Sequence, residues 1–158
     1  MYRIGEEEVE EVRKVLLSGH LFRVGEGVEG HLHEVDLFER EWAQLIGTKY
    51  ALCMSGGGTA ALICGLVGLG IGPGDEVIVP GYTWMATAIT VLIVGAIPVI
   101  AEVDETLTID PEDVRRKIGP NTRAIIPVHM VGRPANMQAI LEIAKEHGLR
   151  VLEDCCQA

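Results

Sequence analysis

The sequence predicts an α/β fold: a mostly parallel sheet with helices on both of its faces. Short apolar runs, typical of strands buried on both sides, alternate along residues 49–158 with longer stretches of helical periodicity. Nineteen glycines and only 4% aromatic residues favour tightly turned βα units over a β-sandwich. Strands that alternate with helices lie parallel, because each helix returns the chain to the starting edge of the sheet.

Two amphipathic helices precede this alternation. In residues 5–18 apolar side chains recur at helical spacing behind an acidic first turn. A loop with three glycines follows over residues 20–34, and a second helix over residues 35–46 ends at a glycine. The sequence therefore divides into an N-terminal helical segment with its loop, residues 1–48, and part of a larger α/β domain, residues 49–158.

Five strands and four helices are predicted within the α/β domain. The clearest helix start is Asp110, because an aspartate N-cap there precedes a proline at the first helical position. The predicted strands are 50–54, 76–80, 97–103, 123–128 and 149–153, and the predicted helices are 59–69, 83–94, 111–118 and 135–147.

Composition and charge exclude several classes of protein. The chain has 158 residues, 48% of them hydrophobic, which suffices for one packed core. A net charge of -10 without a Lys/Arg cluster argues against nucleic acid or an anionic membrane surface as a partner. The four cysteines form no CxxC pair, the N-terminus is unlike a signal peptide, and no apolar run reaches membrane-spanning length. We therefore expect a cytoplasmic protein without a metal site.

Chemically useful residues follow the predicted strands, at the sheet edge where ligands bind in such folds. Residues 56–59, Gly-Gly-Gly-Thr, follow the first strand and begin a helix, which suits phosphate binding by free backbone N–H groups. Trp84 follows the second strand, His129 the fourth, and Asp154 and Gln157 the fifth. Because parallel strands end at one edge, we expect these residues to converge.

Each of these residues also has a simpler structural interpretation. The glycines are compatible with a tight turn, Trp84 with packing in a core or at an interface, His129 with core packing, and Asp154 with a helix cap. Residues 56–61 also match GxGxxA, the dinucleotide fingerprint. That fingerprint needs an acidic residue at the end of the second strand, where a Pro-Gly pair stands, and a Walker P-loop needs Gly-Lys-Ser/Thr. Neither nucleotide motif is complete.

Pyridoxal phosphate (PLP) is the ligand that needs the whole set of residues. Its phosphate suits the glycine run, and its flat ring suits stacking on Trp84. A carboxylate such as Asp154 beside the pyridine nitrogen favours the protonated ring, which acts as an electron sink. Gln157 is placed to hydrogen-bond to the ring hydroxyl.

Six segments match, in order, the motifs of one known family: residues 49–62, 72–80, 82–88, 95–99, 125–129 and 151–158. From about Ile4 to its last residue the chain resembles the DegT/StrS family of PLP-dependent sugar aminotransferases. The resemblance implies a fold type I, aspartate aminotransferase-like large domain and a homodimer with sites at the subunit interface. It also implies amino transfer from glutamate or glutamine to a keto sugar, often nucleotide-linked, or to a keto cyclitol.

The resemblance assigns roles to residues by motif. Thr59 and Ala60 would hold the cofactor phosphate beside Gly58, and the ring contacts would be those given above. His129 matches a family histidine that we expect to lie behind the residues touching the cofactor. The expected cofactor-binding residues are Gly58, Thr59, Ala60, Trp84, Asp154 and Gln157.

The sequence departs from the family pattern in two places. Its glycine run is about one residue longer than the usual Ser-Gly-Thr form, and family members are more than twice as long as this chain. The family's Schiff-base lysine follows the Asp…Gln motif and so is expected beyond Ala158. The lysines at 14, 49, 117 and 145 lie outside that motif. We therefore expect the N-terminal portion of a sugar aminotransferase, without a catalytic residue of its own and inactive alone.

Two other functions stay open at this point. One is a non-catalytic module that binds PLP or associates with a full-length subunit. The other is a PLP-dependent sugar dehydratase relative, in which a histidine replaces the lysine at a position absent from this sequence. The residues carry no signal for the particular sugar or amino donor.

Overall fold

The computed structural model describes residues 3–158, which divide between Cys53 and Met54 into two compact units. A 3-10 turn spans Met130–Gly132 in the second unit. The helices are α1 (Glu6–Ser18), α2 (Glu34–Ile46), α3 (Gly57–Gly68), α4 (Ala86–Ile93), α5 (Pro111–Lys117) and α6 (Met137–His147), and the strands are β1 (Glu76–Pro80), β2 (Ile97–Ala101), β3 (Thr122–Ile125) and β4 (Arg150–Val151).

The first unit consists of α1, α2 and the loop between them. Each helix ends at a glycine in the left-handed region, Gly19 with a φ of 70° and Gly47 with a φ of 77°, where a side chain would be strained. The helices predicted for residues 5–18 and 35–46 are thus confirmed to within one residue. Within residues 3–158 no helix has the length and apolar character needed to cross a bilayer.

The second unit is built on a four-stranded sheet whose strands all run parallel in the order β2-β1-β3-β4. Successive side chains of the central strand β1 point to opposite faces. Val77 and Val79 pack in the layer that contains α3 and α4, whereas Ile78 packs in the layer that contains α5 and α6. The predicted parallel sheet with helices on both faces is confirmed.

Residues 50–54, predicted as the first strand, form no strand in the part of the chain that the structure describes. A strand needs a neighbouring backbone to complete its ladder of hydrogen bonds. Here the N–H of Cys53 donates instead to the carboxylate of Glu39, at 2.6 Å. The prediction was therefore wrong, because an apolar run has β-propensity but does not supply its own partner.

The other four strands are confirmed, but three of them end earlier than predicted. Beyond β3 and β4 the backbones stay close over a few more residues, where one further parallel bridge joins Val128 to Asp154. The four helices of this unit are confirmed, with starts within three residues and ends within one residue of the prediction. The strand ends consequently place residues 127–129 beside residues 152–154.

Replacing Asp113 with asparagine should destabilise the fold at neutral pH and have little effect in acid. The buried carboxylate accepts the backbone N–H of Glu102 at 2.7 Å, which is the main cause of its lowered pKa, and it also pairs with Arg116. Because the pKa is lower in the folded state than in the unfolded state, the carboxylate stabilises the fold at pH values above its unfolded pKa of about 3.9. This contribution is lost as the pH falls through the folded pKa.

The expected loss near pH 7 is about 1–3 kcal/mol in the free energy of unfolding. Urea unfolding of the wild type and Asp113→Asn between pH 7 and pH 3 measures it. Glu105→Gln, at an exposed position of the loop before α5, provides a matched loss of charge. A stability difference at Asp113 that does not shrink with acid would contradict the assignment.

Candidate functional site

A cavity of about 260 Å³ lies in the second unit, at the edge of the sheet where the parallel strands end. The start of α3, the segment between β1 and α4, and the segment after β4 contribute to it. Five of the six predicted cofactor-binding residues line it, and Ala60 does not. The lining residues are Gly58, Thr59, Leu62, Thr83, Trp84, Ala86, Asp154, Cys156 and Gln157.

The glycine run provides the backbone groups at one side of the cavity. Helix α3 begins at Gly57, and within the described chain no side chain caps its N-terminus. The first-turn N–H groups of a helix have no intrahelical acceptor, so they carry partial positive charge that favours an anion. No lysine or arginine is among the described residues that line the cavity. The backbone is therefore the source of anion attraction here.

Each glycine of this run is required for a different structural reason. Gly57 has a φ of 64°, in the left-handed region. A Cβ at Gly56 would lie 2.7 Å from the Cβ of Ala60, and a Cβ at Gly58 would overlap the sulfur of Cys156. The run is thus both a tight turn and a point of close approach between α3 and the segment after β4.

Substituting Gly58 with alanine should destabilise the second unit and reshape the cavity. The new Cβ would occupy the position of the Cys156 sulfur, so one of the two segments must move. Overpacking of this kind costs about 1–3 kcal/mol. Gly68→Ala, at the end of the same helix, is the control, because its Cβ meets no atom within 4 Å. Urea unfolding should separate the two variants, and equal stabilities would contradict the expectation.

Asp154 is a buried carboxylate at the cavity, with only 5% of its surface exposed. Its Oδ2 accepts the hydroxyl of Thr87 at 2.8 Å, and its Oδ1 accepts the backbone N–H of Cys156 at 3.1 Å. Its backbone is also fixed, since its N–H donates to Pro127 and its carbonyl accepts from His129. Two donors and the strand pairing therefore hold the carboxylate in one orientation.

Cys156 lies against both Asp154 and Gly58. A hydrogen bond to the Asp154 carboxylate, with a smaller contribution from burial, raises the pKa of the Cys156 thiol to about 11. The thiol is consequently protonated at neutral pH and a poor nucleophile. Its sulfur fills the space that the missing side chain of Gly58 leaves.

The indole of Trp84 is 69% exposed and stands at the cavity. Of its two simpler interpretations, packing in the core of the second unit is therefore wrong, and packing at a subunit interface stays a prediction. Its ring is available for stacking with a flat ligand. Gln157 is exposed at the same cavity, and its backbone carbonyl accepts the N–H of Gly132 at 2.7 Å. The two residues border the Asp154 carboxylate with an aromatic face and an amide.

His129 is buried outside the cavity lining. Its Nδ1 accepts the backbone N–H of Ala135 at 3.1 Å, and its Nε2 lies 3.0 Å from a carboxylate oxygen of Glu153. Because Nδ1 accepts, the neutral ring carries its hydrogen on Nε2, which donates to Glu153. His129 thus occupies the buried, hydrogen-bonded position of a core histidine, behind the backbone of Asp154.

The sulfur of Cys155 completes a group of three possible metal ligands with His129 and Glu153, whose ligand atoms lie within 4.8 Å of one another. The hydrogen bond from Ala135 argues against a metal ion there. With Nδ1 occupied by a donor, Nε2 carries the ring hydrogen and offers no lone pair. The group is better described as a hydrogen-bonded histidine–carboxylate pair beside a thiol.

Three hydrogen-bonding residues of the site were not singled out from the sequence: Thr83, Thr87 and Cys156. Local spacing contains a signal for Cys156, but none for the bond between Thr87 and Asp154, which are 67 positions apart. Thr83 precedes α4 and Thr87 lies in its first turn, so the contact between their hydroxyls depends on how the segment before the helix folds. Cys156 is two residues from Asp154, and in the turn that follows Asp154 its N–H donates to the Asp154 side chain, so both residues reach the cavity.

Comparison with known proteins gives consistent matches over nearly the whole chain. The model of the DegT/DnrJ/EryC1/StrS aminotransferase family matches residues 2–158. The chain is 44% identical over 156 residues to the spore coat polysaccharide biosynthesis protein SpsC of Bacillus subtilis, and the alignment covers 98% of this chain and 38% of SpsC.

Solved structures match the fold with the same partial coverage. An aminotransferase from Psychrobacter cryohalolentis superposes with a TM-score of 0.90 at 38% identity, over 99% of this chain and 38% of the other. NtdA from Bacillus subtilis, solved with bound cofactor PMP, superposes with a TM-score of 0.87 at 34% identity, over 98% of this chain and 35% of the other. The chain therefore spans somewhat over a third of the length of the proteins it matches.

Proposed function

The chain belongs to the DegT/DnrJ/EryC1/StrS aminotransferase family, and we propose that it forms the cofactor-binding part of a PLP-dependent aminotransferase acting on a keto sugar or keto cyclitol. One observation carries this proposal. A single cavity combines an uncapped helix N-terminus, an exposed indole and a buried, doubly hydrogen-bonded carboxylate. The phosphate of PLP requires an anion site such as the helix N-terminus, its ring requires a flat surface such as the indole, and its pyridine nitrogen requires a carboxylate.

The residues at the cavity fit PLP in their chemistry. The phosphate would be held by backbone N–H groups and the Thr59 hydroxyl, at a place where a side chain at Gly58 would collide with the cavity wall. When bound, PLP supplies an electron sink that stabilises negative charge at the carbon exchanging the amino group. The proposed cofactor-binding residues are Gly58, Thr59, Ala60, Trp84, Asp154 and Gln157.

Asp154 would provide the main electrostatic contribution. A carboxylate beside the pyridine nitrogen favours the protonated nitrogen, and burial strengthens the interaction because the local dielectric is low. Trp84 would stack on the ring and keep water from it, and Gln157 would hydrogen-bond to the ring oxygen. His129 would act indirectly, because its backbone N–H donates to the carbonyl of Asp154 and so helps to fix that residue.

The substrates and assembly are proposed for a complete protein of this family. The amino donor would be glutamate or glutamine, and the protein a homodimer involved in sugar biosynthesis, as the resemblance implies. The proposed location is the cytoplasm, which is the expectation from the composition of the sequence. The name of SpsC, a polysaccharide biosynthesis protein, supports a sugar substrate. For the 158-residue chain itself we propose reversible cofactor binding, because no lysine is among the described cavity-lining residues.

The chain should bind PLP reversibly. Replacement of Trp84 by alanine should weaken this binding about tenfold, because it removes roughly one stacking interaction between aromatic rings. Isothermal titration calorimetry measures the affinity. Trp42→Ala, in the first unit, is the control and should bind like the wild type. Absence of PLP binding by the folded wild-type chain would overturn the proposal.

Borohydride reduction followed by peptide mass spectrometry tests the expected lack of a Schiff-base lysine. We expect at most low, scattered modification of the lysines at 14, 49, 117 and 145. A stoichiometric adduct on one of them would identify a catalytic lysine within this chain and contradict the expectation.

A further inference from the structure

Helix α4 carries a polar side chain that the cofactor contacts do not explain. Thr87 is fully buried, and its hydroxyl leaves the helix to bond Oδ2 of Asp154, 67 positions away in the sequence, at 2.8 Å. Thr90, equally buried on the same helix, instead bonds the carbonyl of Thr87 at 3.1 Å, which is the ordinary local bond of a helical threonine. Thr87 therefore makes a specific long-range contact, whereas Thr90 does not.

The hydroxyl of Thr83 extends this contact towards the cavity wall. Its Oγ1 lies 2.9 Å from Oγ1 of Thr87, and Thr83 lines the cavity. A carboxylate only accepts hydrogen bonds, so the single hydroxyl hydrogen of Thr87 is committed to Asp154. The Thr87 oxygen must then accept, and Thr83 must donate. The hydrogen-bond chain has one direction, from Thr83 through Thr87 to Asp154.

We propose that Thr87 is a positioning residue for Asp154, and that Thr83, which donates to the Thr87 oxygen, is the outer end of this hydrogen-bond chain. This role rests on the proposed function, in which Asp154 faces the pyridine nitrogen of PLP. Two donors, the Thr87 hydroxyl and the Cys156 N–H, each hold a different carboxylate oxygen. Without Thr87 the carboxylate keeps only its hydrogen bonds from the N–H and the thiol of Cys156, and it turns more freely about its χ2 bond. A ligand that needs a fixed carboxylate then binds less tightly.

The direction of the hydrogen-bond chain is testable in the chain without ligand. In NMR spectra the hydroxyl protons of Thr83 and Thr87 should exchange slowly with water. Thr87→Val should speed exchange of the Thr83 hydroxyl, because it loses its acceptor. Thr83→Val should leave the Thr87 hydroxyl proton slow, because Asp154 still accepts it. Rapid exchange of the Thr87 proton in Thr83→Val would overturn the assigned direction.

The role towards the cofactor is testable by binding of pyridoxamine phosphate, which has no aldehyde to react with lysines. Thr87→Val should weaken binding about tenfold, Thr87→Ser should restore it to within about twofold, and Thr90→Val should bind like the wild type. Circular dichroism checks that all variants fold. A folded Thr87→Val variant with wild-type affinity would overturn the role.

A double-mutant cycle distinguishes positioning from a merely structural effect. In an Asp154→Asn background, Thr87→Val should weaken binding no further, because the carboxylate that it orients is gone. Equal losses in both backgrounds would overturn the proposal. Failure of the wild type to bind pyridoxamine phosphate would instead overturn the proposed function, and the role of Thr87 with it. If the wild type binds pyridoxamine phosphate and Thr87→Val binds it equally well, the role of Thr87 is overturned and the proposed function stands.

Discussion

Replacing Asp154 with asparagine should weaken the binding of pyridoxamine phosphate more than any other single substitution at the cavity. The buried carboxylate is the only charged side chain among the described lining residues. Removing one partner of a buried charge pair costs about 2–5 kcal/mol, which corresponds to at least about a thirtyfold loss of affinity. Calorimetric titration measures this loss, and Glu105→Gln, outside the cavity, provides a charge-matched control. An affinity within about threefold of the wild type would contradict the role of Asp154.

The same substitution should also lower the pKa of the Cys156 thiol from about 11 towards its ordinary value, because the hydrogen bond to Asp154 is the main cause of the elevation. Alkylation by iodoacetamide as a function of pH reports the thiolate. A background with Cys53, Cys64 and Cys155 changed to serine isolates the signal. The midpoint should move to lower pH in Asp154→Asn, so alkylation at pH 8 should be faster. An unchanged midpoint would show that the thiol does not contact the carboxylate.

Replacing Ile78 with alanine should cause the largest loss of stability. This side chain is fully buried in the middle of the central strand, between Val99 on β2 and Ile125 on β3. Removing most of a buried isoleucine side chain leaves a cavity and costs about 2–5 kcal/mol. Domains of this size are stable by about 5–15 kcal/mol in total, so the variant approaches the limit of folding.

Ile97→Ala is the matched control for this experiment. Ile97 is an isoleucine of the edge strand β2 with 51% of its surface exposed, so the same truncation removes far less buried area. Its expected cost is below about 1 kcal/mol. Urea unfolding monitored by circular dichroism compares the two variants. Equal losses would contradict the packing of β1 between two helical layers.

The fold was predictable wherever a local pattern determines the structure. Helix α5 shows this, because Asp110 caps it and the proline after it starts it, and both signals lie in consecutive residues. The apolar run 50–54 shows the limit. Its composition is that of a strand, but a strand also depends on a partner, and partner choice is a property of the whole sheet. Strands β3 and β4 are shorter than predicted for the same reason, since the length of a strand also depends on the pairing of its neighbours.

Residues of the candidate site divide in the same way. The presence of Asp154 and Trp84 at the cavity could be predicted, because both follow strands of a parallel sheet and such strands end at one edge. The role of Thr87 could not be predicted, because a threonine within an apolar helix is indistinguishable in sequence from a small residue of the core. Its importance comes from a contact with a residue 67 positions away, which only the packing of α4 on the sheet creates.

Alternate side chains of residues 153–156 face different neighbours. Glu153 and Cys155 approach His129, whereas Asp154 and Cys156 line the cavity. Inserting or deleting one residue just before this segment would exchange the two sets, because side chains alternate with a period of two. A different acid would then face the cavity, on a backbone that no longer meets α4. We therefore expect related chains to vary in this segment by substitution while conserving its length.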